Sequence, residues 1–117
     1  MTAVVEMFSC LALEQSIYIA MNVGSIKTVA GVEKHFNTDV VFDRMGRIVA
    51  TYDKRNLFQT ETTIFDEADL EIVTFETDFG TFGIMTCFDA MYSHPFLDLV
   101  ESKGKLGMYF PVIHLSS

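Results

Sequence analysis

The spacing of apolar positions changes along the chain, and each change marks an element. In 3-AVVEMFSCLALEQ-15, Val4, Phe8, Leu11 and Gln15 recur at helical spacing, with Val5 and Ala12 beside them. That pattern predicts an amphipathic helix packing one broad face. Ser16 then opens SIYIAMNVG, a β-branched and aromatic run of the kind that forms a buried strand. Asn22 to Phe36, with Gly24, Gly31 and mixed charge, reads as a loop.

Two hairpins follow. In 38-TDVVFDRMGRIVATYDK-54 an apolar strand meets Asp43-Arg44-Met45-Gly46 and a second strand leaves it. In 71-EIVTFETDFGTFGIMTCF-88, Thr77-Asp78-Phe79-Gly80 plays the same part. A glycine after a short polar turn supplies the positive φ such hairpins need. Gln59 to Asp69 between them is polar and acidic and reads as a surface loop. After Cys87, Ser93 suits a cap, Pro95 the first helical turn and Gly104 a helix stop. A last strand, LGMYFP, is expected to end at Pro111. Helix, strand, hairpin, hairpin, helix and strand make a mixed α/β layered fold. Both ends look cut: the chain starts inside an amphipathic helix and stops just past a strand.

At 117 residues the chain is one domain at most, and half of its residues are hydrophobic, enough for a real core. Sixteen acidic against eight basic side chains leave a net charge of −8. That balance argues against nucleic acid or an anionic membrane as partner, since both reward clustered Lys and Arg. No apolar run approaches the ~20 residues of a membrane span. The N-terminal residues lack a basic region and carry Glu6, so they do not read as a signal peptide. Cys10 and Cys87 make no disulfide framework. His35, His94 and His114 are scattered, and Asp66-Glu67-Ala68-Asp69 reads as a solvated turn rather than a calcium loop. No metal or cofactor is expected.

The chemistry concentrates in 82-FGIMTCFDAMYSHP-95. A lone cysteine on a strand is usually a small buried hydrophobe. Cys87, however, falls at the C-terminal end of its strand, where α/β folds commonly place chemistry. Asp89 and Tyr92 make the following turn polar. A second strand end, 52-YDKRNLF-58, offers Lys54, and a lysine beside a thiol favours the nucleophilic thiolate.

These stretches carry a resemblance. HFNTDVVFDRMGRIVATYDKRNLF followed by VTFETDFGTFGIMTCFDAMYSHP resembles the central part of the carbon–nitrogen hydrolase (nitrilase) superfamily, closest to its vanin and biotinidase branch. SCLALEQSIYIAMNVG is similar to that branch as well, so the likeness runs from about Ser9 to Pro111. It implies a layered α-β sandwich of the nitrilase type, the central part of an αββα domain incomplete at both ends. It also implies a Glu-Lys-Cys triad in which the cysteine attacks an amide carbonyl and water hydrolyses the thioester. The matching positions are Cys87 as nucleophile and Lys54 as oxyanion-stabilising cation. Glu61 stands at the place of the acidic residue that helps position these groups, and Asp89 is a supporting residue beside the nucleophile. The substrate implied is a small amide such as a pantetheine or biotin amide. The branch implies a secreted or cell-surface protein, and homo-oligomerisation is left open.

The family's base glutamate lies far upstream of the lysine, before the helix matching residues 3–15. Only Glu6, Glu14 and Glu33 precede Lys54, and none sits in that motif. Asp53 stands where the branch has a histidine and is expected to alter the pocket. The 22–36 loop is short and lacks the branch's cysteines. Two expectations follow: an amidase of this branch represented by a partial domain, inactive by itself, or a non-catalytic truncated or pseudoenzyme chain that packs against a partner.

Overall fold

The computed structural model describes residues 2–57, 62–69, 73–86, 97–98 and 108–112. Helix α1 (Thr2–Gln15) leads into strands β1 (Ile19–Val29), β2 (Val32–Phe42) and β3 (Ile48–Asp53). Strands β4 (Thr74–Thr77), β5 (Gly80–Thr86) and β6 (Met108–Val112) follow. They form two three-stranded sheets, ordered β1-β2-β3 and β4-β5-β6. The first is antiparallel throughout. In the second, β4 pairs antiparallel with β5, and β5 parallel with β6.

Strand alternation explains the layering. In β2, Val40 and Phe42 point to α1, where they bury Ala12 with Val5, Phe8, Ile19, Met21 and Val23 around them. Val41 points the other way and joins Ala50 and Tyr52 against Phe75 and Ile84 of the second sheet. With both faces covered, β2 reads as an unbroken apolar run. Phe75 and Phe82, paired across β4 and β5, stack with centroids 5.6 Å apart.

Three expectations are corrected. The 22–36 segment is not a loop: β1 and β2 pair from Ile19↔Phe42 to Val29↔Val32. Ala30 (φ 51°) and Gly31 (φ 79°) close a two-residue turn with both central residues left-handed, the geometry that matches strand twist. The outer half of this hairpin is largely exposed, so glycine and mixed charge masked its period of two. Helix α1 forms as expected, but its inward face is Val5, Phe8 and Ala12, while Val4 and Leu11 are exposed. Small Ala12 permits close approach to the sheet, and the Ser9 hydroxyl donates to the Gly46 carbonyl at 2.5 Å. Ser16 (φ 54°) ends the helix rather than opening the strand, with Ser16 N–H donating to Leu13 O and Ile17 N–H to Ala12 O.

The expected turns are present. Asp43 Oδ1 accepts the Met45 and Arg47 backbone N–H groups, both at 2.9 Å, and Oδ2 accepts Arg47 Nε at 3.0 Å. The Arg47 N–H above all holds the Asp43 carboxyl below its usual range; burial opposes this, and Met45 N–H and the Arg47 guanidinium add to it. A depressed carboxylate contributes stability above its unfolded pKa, near 3.8, and loses it as pH falls through the lowered folded value. Below about pH 4 the wild-type melting temperature should therefore fall more steeply than that of Asp43→Asn. Parallel acid-melting profiles would contradict this.

Gly46 (φ 77°) completes the same turn, and a Cβ there would sit 2.6 Å from the Ser9 carbonyl oxygen. Gly31 has an equal φ but open space around it. Gly46→Ala should cost more than about 2 kcal/mol, and Gly31→Ala only about 1, the left-handed penalty alone. Equal losses by chemical denaturation would show that α1 yields without cost.

Of the expected final strand, β6 is described from Met108 and runs through Pro111 to Val112 at the edge of its sheet, where a missing N–H is tolerated. Of the expected 93–104 helix only Leu97 and Asp98 are described, and both are helical.

Candidate active site

The β2–β3 turn and the β4–β5 turn lie at one end of the sandwich. Arg44 pairs with Asp78. Its guanidinium also lies 5.4 Å from the Tyr18 ring centroid and 5.1 Å from that of Phe79. Strands β3 and β5 both leave these turns and run toward the opposite end, in sheets packed face to face. β3 stops at Asp53 and β5 at Thr86. Lys54 thus follows one strand end, and the chain reaches Thr86 at the same end of the sandwich.

Lys54 is only 1% exposed. Its N–H donates to Asn37 O at 2.8 Å, continuing the β2–β3 ladder one step beyond Thr38↔Asp53. Its carbonyl accepts Ala68 N–H at 3.4 Å, tying it to the 62–69 loop. That loop also holds β2 through Asp66, whose N–H donates to His35 O and whose Oδ2 accepts His35 N–H at 2.8 Å. Arg55 secures it from the other side, donating to Ala68 O at 2.9 Å and pairing with Glu67 at 2.6 Å. Residues 66, 67 and 69 are exposed, as the solvated-turn reading expects.

Alternation puts Lys54 on the inter-sheet face with Tyr52 and puts Asp53 on the α1 side. There Asp53 accepts Thr38 Oγ1 at 2.7 Å and Lys27 Nζ at 2.5 Å, and Ser25 extends the chain to Thr38 at 2.6 Å. Asp53 therefore faces away from Lys54, because neighbours on a strand face opposite sides.

The inter-sheet face around Lys54 is polar. Asp39 lies opposite both Asn22 and Tyr52 in register. Asn22 Nδ2 donates to Asp39 Oδ1 at 2.9 Å and to Asn37 Oδ1 at 2.5 Å. Asp39 and Tyr52 are each 1% exposed. Sequence reasoning passed over Asp39 because it sits inside an apolar run. Its signal is parity: it shares a face with Val41, which is core. A fixed cation among oriented amides, away from water, can stabilise an oxygen that gains negative charge.

Cys87, Glu61 and Asp89 lie outside the described residues, as do His94 and His114. Cys10 is exposed on α1. His35 is exposed and lies 3.3 Å from Glu33. Among the described residues no three His, Cys, Asp or Glu side chains form a metal cluster, and no helix is long and apolar enough to cross a membrane.

Residues 2–109 match the model of the carbon–nitrogen hydrolase family. The chain is 44% identical to the pantetheinase of Homo sapiens and 41% to that of Bos taurus, over 94% of its own length and 23% of theirs. It is 36% identical to the biotinidase of Takifugu rubripes, over 94% of its length and 24% of that protein's. It thus spans about a quarter of the curated relatives it matches. An amidase from Nesterenkonia sp. AN1 in complex with butyramide superposes with a TM-score of 0.78 at 12% identity, covering 99% of this chain and 43% of the amidase. A carbon–nitrogen hydrolase from Helicobacter pylori G27 gives 0.77 at 22% identity, covering 99% and 39%. The fold is therefore the nitrilase-type α/β sandwich, present in part.

Proposed function

The chain belongs to the carbon–nitrogen hydrolase family, and from that premise we propose that it carries the lysine and cysteine part of an amide-hydrolysing site. Residues 1–117 are read as part of one such domain. In this reading Cys87 Sγ attacks the carbonyl carbon of a small amide. The carbon–nitrogen bond breaks, the amine leaves with a proton, and water then hydrolyses the thioester. Lys54 stabilises the oxyanion of both tetrahedral intermediates, with Glu61 and Asp89 supporting the two groups. The base that takes the thiol proton and later activates water is a glutamate outside the motifs of this segment. The substrate is a pantetheine or biotin amide, a class supported by the relatives' names.

The observation that carries the reading is Lys54, a buried lysine on the inter-sheet face at the end to which β3 and β5 both run. A solvated strand-end charge would not be enclosed in this way. The test is chemical: iodoacetamide should label Cys87 before Cys10 in the folded chain. Cys10 is exposed, so access does not protect it, and a faster Cys87 owes its rate to thiolate. Equal labelling would return Cys87 to the core.

One observation favours the second reading, a non-catalytic chain that packs against a partner. Val4, Met7 and Leu11 lie at i, i+3 and i+7 on α1 and are all exposed, Met7 by 60%. A helical apolar stripe of this kind marks a contact surface. It is compatible with the hydrolase reading, and Cys87 labelling separates a competent site from a degenerate one.

A further inference from the structure

We propose that Asp39 is the buried counter-charge that holds Lys54 in place. The argument begins with register. Asp39 lies opposite Tyr52, and Lys54 is two residues beyond Tyr52 on the same face, its N–H bonded to Asn37 O. Asp39 and Lys54 are thus diagonal neighbours across β2 and β3, a separation of about 7–8 Å that long side chains span. Both side chains are 1% exposed. Opposite charges enclosed at diagonal positions act on one another with little water to screen them.

Asp39 is itself built in. Asn22, across β1, donates one amide to both Asp39 Oδ1 and Asn37 Oδ1, which fixes the carboxylate and the residue beside Lys54 together. Each of the two charged groups also has other contacts, so Asp39 contributes to the balance around Lys54 rather than forming a closed pair with it. The coupling rests on burial and register alone. Its catalytic meaning, a lysine aimed for an oxyanion, rests on the reading of Lys54 given above, and Asp39 acts there as a positioning residue.

The test is a double-mutant cycle with Asp39→Asn and Lys54→Met. Asparagine keeps the acceptor that Asn22 uses and removes only the charge; methionine keeps the length of Lys54. Each single change leaves the opposite buried charge less compensated and should lower the melting temperature by about 10 °C or more. The double variant removes both charges and should recover at least half of the loss. Should Asp39→Asn not fold, a folded double variant is the supporting result. Additive losses, or a double variant that also fails to fold, would overturn the proposal. Asp43→Asn, a carboxylate at the far end of β2, serves as control and should combine additively with Lys54→Met. A second readout separates positioning from mere stability: in folded Asp39→Asn, alkylation of Cys87 should slow about twofold while Cys10 is unchanged. An unchanged or faster Cys87 would overturn the positioning role. If wild-type Cys87 labels no faster than Cys10, the amidase reading fails, and the stability cycle still decides the coupling.

Discussion

Given a pantetheine or biotin amide, the folded 117-residue chain should release no amine above the uncatalysed rate, even while Cys87 alkylates readily. The two behaviours separate because they need different groups. Alkylation requires only a reachable thiolate, which a nearby lysine favours. Acylation by an amide requires a proton for the leaving amine, and deacylation requires an activated water. A positioned base contributes about 10²–10⁴-fold to such steps, and the members of a catalytic set act as a unit. Glu6 and Glu14 lie on α1 and Glu33 on the outer part of the β1–β2 hairpin. None belongs to the polar patch around Lys54. A longer polypeptide that adds a glutamate facing that patch should gain turnover by about the same factor. Steady amine release by the 117 residues, measured with purified protein and abolished by Cys87→Ser, would mean that the base is already present among them.

Lys54→Met should slow alkylation of Cys87 at neutral pH by roughly threefold and leave Cys10 untouched. An opposite charge within about 4–6 Å of a titrating group shifts it by about 1–3 units toward the charged form. Losing that charge lowers the thiolate fraction at pH 7 by about 8- to 30-fold, since an ordinary thiol near 8.5 is still about 3% ionised there. The more basic thiolate that remains is a better nucleophile, which returns roughly half of the effect on a logarithmic scale. Methionine is preferred to alanine because Lys54 is buried, and shortening it would open a cavity whose collapse could change Cys87 by itself. The readout is the peptide-resolved rate of carbamidomethylation. An unchanged Cys87 rate in a folded Lys54→Met chain would separate the two residues.

Much of this architecture was legible, and the failures have physical causes. The β2–β3 and β4–β5 hairpins announce themselves because Asp43-Arg44-Met45-Gly46 and Thr77-Asp78-Phe79-Gly80 interrupt apolar strands with residues that suit turns. The β1–β2 hairpin does not, because its outer residues face water on both sides and carry no hydrophobic period of two. Its turn is also hidden: Ala30 adopts a left-handed φ that alanine rarely takes. In α1 the spacing predicts a helix, but Val4, Phe8 and Leu11 do not reveal which stripe is inside. That choice is made by the close approach of Ser9 to Gly46, a long-range contact. Lys54 was legible as a strand end. Its burial was not, since a lysine at a strand end ordinarily reads as solvated and only the assembled fold encloses it. Asp39 was missed for a related reason: one carboxylate inside TDVVF reads as an outward position, and only the second sheet turns that face into the interior.

The central claim is that Cys87 and Lys54 share one site, and the pH–rate profile of alkylation tests it most directly. The folded chain is pulsed with iodoacetamide between about pH 5.5 and 9.5, and Cys87 and Cys10 are quantified in the same digests. A thiol beside a buried ammonium ionises at lower pH than an exposed thiol without such a neighbour. The account predicts a Cys87 profile rising at distinctly lower pH than that of Cys10, with a rate advantage of about three- to sixfold at pH 6.5 that shrinks as the solution becomes alkaline. Superimposed profiles, or a Cys87 that reacts only once the chain unfolds, would contradict it.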